Sequence, residues 1–187
     1  MGEIMTDLTF FTNEPNRTLV DRFNKILSNN TKSFDVLVGY FRTSGFYELY
    51  KSLENVEKIR VLVGLNVDRK TIELLNLSKN EVEMLSNKDT KKAFSLSIKD
   101  EMDNSEDNIN VEQGVLKFIE FIKSGKLEMR IYPDEPIHAK VYIMRKDQDK
   151  CEDLGKVVTG CSNLSFNGSK GNMEFNVELI NIGELKY

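Results

Sequence analysis

Apolar positions recur along the chain with two periods, and the switches between them predict its elements. Over Arg17–Asn29, Leu19, Phe23, Ile26 and Leu27 fall at helical spacing after the loop TNEPN, which predicts an amphipathic helix. FDVLVGYF at 34–41 is an apolar, aromatic and β-branched run and reads as a buried strand. RTSG follows, then Phe46, Leu49, Tyr50 and Leu53 at helical spacing, then a second such strand, KIRVLVGL, at 58–65. Strand, helix, strand in this order predicts a βαβ unit with parallel strands and a right-handed crossover.

Residues 78–111 break the pattern. They are polar, with few aromatics and an acidic patch near Asp103–Asp107, and read as a helical or partly mobile excursion from the sheet. Helical spacing returns over Glu112–Lys123, with Val115, Phe118, Ile119 and Ile122, and Gly125 ends it. Strands are predicted at Leu127–Tyr132, Ile137–Met144, Lys156–Thr159 and Phe175–Ile180. No internal repeat or low-complexity tract interrupts the series. The expected architecture is one α/β domain over 1–187. Its mixed sheet carries helices on both faces and a helical or polar insertion around 78–111.

With 40% hydrophobic and 30% charged residues, this is the composition of a folded domain, not a disordered chain. No apolar run reaches the ~20 residues that span a bilayer. MGEIMTDLTFF has acidic residues where a signal peptide has basic ones, so a cytoplasmic protein without membrane contact is expected. The initial MG, with Thr at position 6, is too weak a match to a myristoylation signal to change this. Cys151 and Cys161 lack metal-binding spacing, and with a single histidine they make no zinc set; two free thiols, no metal and no cofactor are expected. A formal charge of −4 argues against broad nonspecific nucleic-acid binding, though not against a local basic groove.

The single histidine lies in IHAKVYIM, residues 137–144. Odd positions there are apolar, and even ones hold His138, Lys140, Tyr142 and Met144. A strand's period of two then places imidazole and ammonium on one face. TGCSNLS at 159–165 brings a strand into Gly160 and surrounds Asn163 with small polar residues, able to offer an amide and backbone N–H groups to an anion. GNMEFN at 171–176 supplies Glu174, a carboxylate able to hold an imidazole in one tautomer. Taken singly, these are a structural histidine, a turn and a solvated strand end. Together, a nucleophile, a cation, an amide and an orienting carboxylate suit attack on a phosphodiester.

These residues resemble the HKD signature of the phospholipase D superfamily: H-x-K, a strand ending in G-S-x-N, and a Glu eleven positions after the Asn. Here they are His138, Lys140, Gly160, Asn163 and Glu174, with 174 − 163 giving the eleven. FFTNEPNRTLVDRFN and DVLVGYFRTSGF resemble more narrowly the N-terminal phospholipase D-like domain of bacterial Swi/Snf-type DNA/RNA helicases. Two positions depart. The family's Asp five residues after the Lys is Arg145, with Asp147 the nearest acid, and its Ser after the Gly is Cys161, followed by Ser162. The resemblance implies a metal-independent phosphodiesterase or nuclease acting on DNA or RNA through a phosphohistidine on His138. It implies catalytic roles for Lys140, Asn163 and Glu174, and substrate contacts from Lys140, Cys161, Ser162 and Asn163. Arg145, Lys146 and Lys170 are candidates for flanking phosphates, with a solvated surface as the plainer reading of each. One motif and one histidine per chain imply a homodimer whose motifs meet at a twofold axis. The sequence ends at ELINIGELKY without helicase motifs, which reads as a fragment of a longer helicase-type chain or as a stand-alone relative. The rival reading is a noncatalytic module that dimerises or docks nucleic acid for that motor.

Overall fold

In the computed structural model, residues 8–15, 17–67, 108–132, 137–147 and 154–180 are described, and their apolar runs pair into one seven-stranded sheet. The elements are β1 (Leu8–Thr12), α1 (Leu19–Leu27), β2 (Thr31–Phe41), α2 (Thr43–Tyr47), α3 (Tyr50–Leu53), β3 (Lys58–Val67), α4 (Asn108–Lys123), β4 (Leu127–Ile131), β5 (Lys140–Lys146), β6 (Gly155–Gly160) and β7 (Phe175–Ile180). A π-helical turn over Asn167–Gly171 precedes β7. The spatial order is β1-β7-β6-β5-β2-β3-β4. The β2–β3 and β3–β4 pairs are parallel and the other four antiparallel, so the sheet is mixed as expected, and the βαβ reading of residues 34–65 yields a parallel pair.

Local chemistry explains most boundaries. Helix α1 starts in a capping box: Asp21 N–H donates to Thr18 Oγ1 at 3.2 Å, and Thr18 N–H donates to Asp21 Oδ2 at 3.0 Å. Gly125, at φ +72°, ends α4 as expected, in a backbone region that favours glycine. The single helix expected through Phe46 and Leu53 is instead two short ones, α2 and α3, separated at Glu48–Leu49, yet Phe46, Leu49, Tyr50 and Leu53 are all buried. β1 is not predicted by the sequence pattern: five residues ending at the first residue of TNEPN offer little periodicity, and the strand is fixed by antiparallel pairing with β7. The expected excursion lies outside the described residues, apart from the first turn of α4.

All four described helices feed one core with the same face of the sheet. Tyr142 is at its centre, fully buried, edge-on to Phe23 at 4.8 Å and stacked on Phe34 at 6.4 Å. Phe46 meets Phe118 and Phe121 edge-on at 5.2 and 5.9 Å beneath β2 and β3. On the other face Leu62 is exposed and Leu37, Val141 and Ile143 are half-buried. The expectation of helices over that second face concerns residues outside the described set.

Two expectations for 137–144 change. The strand starts at Lys140, not Ile137, so His138 stands in the segment leading into it. The even face, with Lys140, Tyr142 and Met144, is the buried one, because the aromatic side chains of the helical layer cover it.

Candidate active site

The segments singled out in the sequence meet at one end of the sheet, where β2, β3 and β6 finish and β5 and β7 begin. Two glycines let the histidine segment settle there. A Cβ on Gly39 would lie 2.5 Å from the Ile137 carbonyl oxygen and 3.3 Å from His138 Cα. A Cβ on Gly64, one strand over, would lie 3.0 Å from that same oxygen. Gly39 N–H donates to Ala139 O at 3.0 Å, tying residues 137–139 to the last residues of β2, just before Phe41.

The structure brings His138 and Lys140 together. Lys140 Nζ lies 3.1 Å from His138 Nε2 and 3.3 Å from Nδ1, and donates to the His138 carbonyl at 3.0 Å. Near-equal distances to two nitrogens whose lone pairs diverge place the ammonium over the ring, not in line with either nitrogen. Lys140 is only 7% exposed, and no carboxylate pairs with it among the described residues. A buried cation without a counter-charge is costly, and an anion at this point removes the cost.

Asn163 is tied to the same strand, its Oδ1 accepting from Tyr40 N–H at 3.2 Å. That bond commits the amide oxygen and leaves the NH₂ group as the free donor. The loop beyond it is close-packed. A Cβ on Gly168 would sit 2.4 Å from Asn163 O, and Gly168 O is held by Asn13 Nδ2 at 3.0 Å. Buried Asn13 also accepts from Leu19 N–H at 2.9 Å, linking this loop to the start of α1.

The remaining candidates divide. Cys161 is exposed, its N–H donating to Phe175 O at 3.0 Å. Ser162, expected to contact substrate, is fully buried: its hydroxyl accepts from Asn176 Nδ2 at 2.9 Å and its carbonyl from Tyr142 Oη at 2.7 Å. It supports the loop from within and has no exposed atom to offer. Glu174 accepts from Asn172 Nδ2 at 3.4 Å and makes no hydrogen bond with His138 among the described residues; the group over the imidazole is Lys140. Complete burial pushes the Tyr142 hydroxyl pKa well above its usual value, and the charge of Glu174 adds to this. Arg145 pairs with Asp35, which also receives Arg60 through two hydrogen bonds of 2.6 Å. Arg145 therefore braces the sheet. Lys170 pairs with Glu48 at 3.5 Å.

Two residues at this end escaped sequence reading. The Tyr40 backbone orients Asn163, and Arg42 Cζ lies 4.8 Å above the Tyr40 ring. The sequence pattern places Tyr40 in a strand end and Arg42 in the RTSG loop. Their signal was faint: polar groups at i and i+2 directly after Gly39.

No family model and no curated protein matches the chain. Solved structures do resemble it. A variant of the yeast tyrosyl-DNA phosphodiesterase aligns with TM-score 0.50 and 9% identity, over 91% of this chain and 31% of that one. Phosphatidylserine synthase from Haemophilus influenzae aligns with TM-score 0.50 and 14% identity, over 95% of this chain and 35% of that one. Nuc from Salmonella typhimurium, a phospholipase D family member, aligns with TM-score 0.49 and 13% identity, over 95% and 85%. The fold is phospholipase D-like. This chain spans about a third of the length of the first two of these proteins.

Proposed function

We propose that the chain is a metal-independent phosphodiesterase domain acting on DNA or RNA through a phosphohistidine intermediate, completed by homodimerisation and attached to a helicase motor in a cytoplasmic protein. The observation that carries this reading is the Lys140 ammonium, buried, without a carboxylate among the described residues, 3.1 Å from the chain's single imidazole. That pair offers a nucleophile and a site for the negative charge of the group it attacks. His138 attacks phosphorus, the phosphorus–oxygen bond to the leaving group breaks, and Lys140 with the Asn163 amide takes the charge on the non-bridging oxygens. The leaving oxygen needs a proton, and the only other imidazole available is His138 of a second copy. Water then attacks the phosphohistidine, with that imidazole now as base, and regenerates the ring. Glu174 is the carboxylate proposed to hold the distal ring nitrogen.

A second reading, a weak or inactive nucleic-acid-binding and dimerisation module, is favoured by Cys161 in place of a hydroxyl donor and by the absence of a Glu174–His138 hydrogen bond. One experiment separates the two. Hydrolysis of bis(4-nitrophenyl) phosphate and of a labelled oligonucleotide is followed in excess EDTA, alongside sedimentation of the protein at tens of micromolar. The catalytic reading expects turnover, a dimer, no turnover for His138→Ala, and a loss of about 100- to 1,000-fold for Lys140→Ala. A monomer, or activity that needs Mg²⁺ and survives His138→Ala, overturns it.

A further inference from the structure

We infer that Arg42, placed over the Tyr40 ring, is a second substrate-binding group that takes a phosphate flanking the scissile one, so that the site is built for a phosphodiester chain and not for an isolated diester. The inference rests on the proposed phosphodiesterase reading and names the polymeric class of its substrate.

Three observations carry it. The first is placement. The stretch that carries Arg42 is fixed by its backbone to both halves of the candidate site. Gly39 N–H donates to Ala139 O at 3.0 Å, Tyr40 N–H to Asn163 Oδ1 at 3.2 Å, and Arg42 N–H to Leu164 O at 3.0 Å. Just beyond it, Phe166 N–H donates to Ser44 Oγ at 3.2 Å. Arg42 therefore stands beside the Asn163 loop and cannot drift from it. The second is preorganisation. With Cζ 4.8 Å from the ring centroid, the guanidinium lies against the Tyr40 face, which restrains the long side chain while leaving its N–H edges free. A phosphate accepts from those edges two at a time.

The third is charge. Arg42 is exposed and pairs with no carboxylate among the described residues, whereas Arg22, Arg60, Arg145, Lys156 and Lys170 each pair with one. In a chain of net charge −4, attraction of a polyanion has to come from cations left uncompensated near the site, and Arg42 is one held in place. Lys140 is another. The two have different neighbours, one over the imidazole and one beside the Asn163 loop, which suits successive phosphates on one strand.

The test is the salt dependence of binding. Anisotropy of a fluorescein-labelled 12-nucleotide single-stranded DNA is measured against NaCl in EDTA, with the uncleaving His138→Ala protein as parent. Adding Arg42→Ala should make the slope of log K against log[NaCl] shallower by about 0.7, one phosphate contact on a single strand. Arg42→Lys should keep the slope, and Tyr40→Leu should weaken binding at an unchanged slope, since the charge remains but is no longer held. In the otherwise unaltered protein, Arg42→Ala should cost at least tenfold more in kcat/KM on the 12-mer than on a dinucleoside monophosphate, which has no flanking phosphate. An unchanged slope, or equal losses on the two substrates, overturns the inference. Loss of binding to phosphatidylglycerol vesicles with oligonucleotide binding intact also overturns it, by pointing to a lipid surface. Failure of all EDTA-resistant cleavage would instead sink the phosphodiesterase reading, while the slope would still report on Arg42.

Discussion

Replacing Gly39 by Ala tests how the histidine segment is held. The added Cβ would lie 2.5 Å from the Ile137 carbonyl oxygen, where real Cβ atoms essentially never come closer than 3.0 Å, so at least 3.0 − 2.5 = 0.5 Å must be found. The obstructing atom is backbone and has no rotamer to change. β2 is clamped between β3 and β5, with Val38 paired to Val63 and Lys140, so the yielding part is residues 137–139. Overpacking of this kind costs about 1–3 kcal/mol. A shift of 0.5 Å at the nucleophile corresponds to roughly a tenfold loss of rate, since a misplacement of ~1 Å costs about 100-fold. Urea unfolding measures the first effect. The second is followed by hydrolysis in EDTA and by the His138 imidazole resonance, the only one of its kind in the chain. Gly125→Ala is the contrast: its Cβ meets nothing within 4 Å, so it should cost about 1 kcal/mol of backbone strain and leave the His138 signal alone. Were Gly39→Ala to unfold at the same urea concentration with an unmoved imidazole resonance, the reasoning would be wrong.

Three further outcomes are expected. Glu178 is fully buried; burial pushes its pKa up, but hydrogen bonds from Arg22 and Lys156 outweigh this and hold it below the usual carboxylate range. Its contribution is therefore present above the ordinary Glu value of about 4.3 and is lost as pH falls through the lower folded value. Glu178→Gln should cost about 1.5–3 kcal/mol at pH 7, with the gap to the unaltered protein closing toward pH 3, and equal urea midpoint shifts at both pH values would refute the assignment. Tyr142→Phe should cost about 1–2 kcal/mol in urea unfolding, because the buried Ser162 carbonyl loses its donor, and no loss would mean that water replaces it. Cys161→Ser, restoring a hydroxyl donor beside Asn163, should raise the rate of diester hydrolysis, and an unchanged rate would show that position 161 does not touch phosphate.

The elements with strong periodicity were legible. β7 spans Phe175–Ile180 as the sequence predicts, and α1 and β2 to β4 differ from prediction mainly by a few residues at their ends. What stayed hidden depended on contacts between distant segments. β1 owes its assignment to β7, and the π-helical turn to the packing of Gly168 on Asn163. The pairing of His138 with Lys140 was visible because both lie within three residues, although the true strand begins two residues after His138. Ser162 was misread because nothing in GCSN distinguishes an exposed serine from one turned inward, and only Tyr142 and Asn176, from two other strands, decide it. Tyr40 and Arg42 were missed for the same reason. Their importance comes from a backbone bond to a residue more than a hundred positions away.

The way this end of the sheet is held separates scaffold from chemistry. Gly39, Gly160 and Gly168 each stand where a side chain would collide with a neighbouring backbone, and the N–H groups of Gly39, Tyr40, Arg42 and Cys161 supply the bonds between segments. Backbone and glycine thus set the positions, which among the described residues leaves the His138 imidazole, the Lys140 ammonium, the Asn163 amide and the Arg42 guanidinium without structural partners that an incoming anion must displace, apart from their contacts with one another and with Tyr40. Positioned groups of this kind need little reorganisation when charge develops, the condition under which electrostatic stabilisation is most effective. The same economy leaves one deficit. Among the described residues Lys140 stands beside the imidazole, and Asn163 and Arg42 are tied to the neighbouring Tyr40, so the double displacement proposed above takes its second acid from an imidazole of another chain. Concentration is therefore a test of mechanism: specific activity should fall on dilution below the dimer dissociation constant, and mixing His138→Ala subunits into the unaltered protein should lower activity more than in proportion to their share. A rate per chain that is constant through dilution to monomer would leave no role for a second copy.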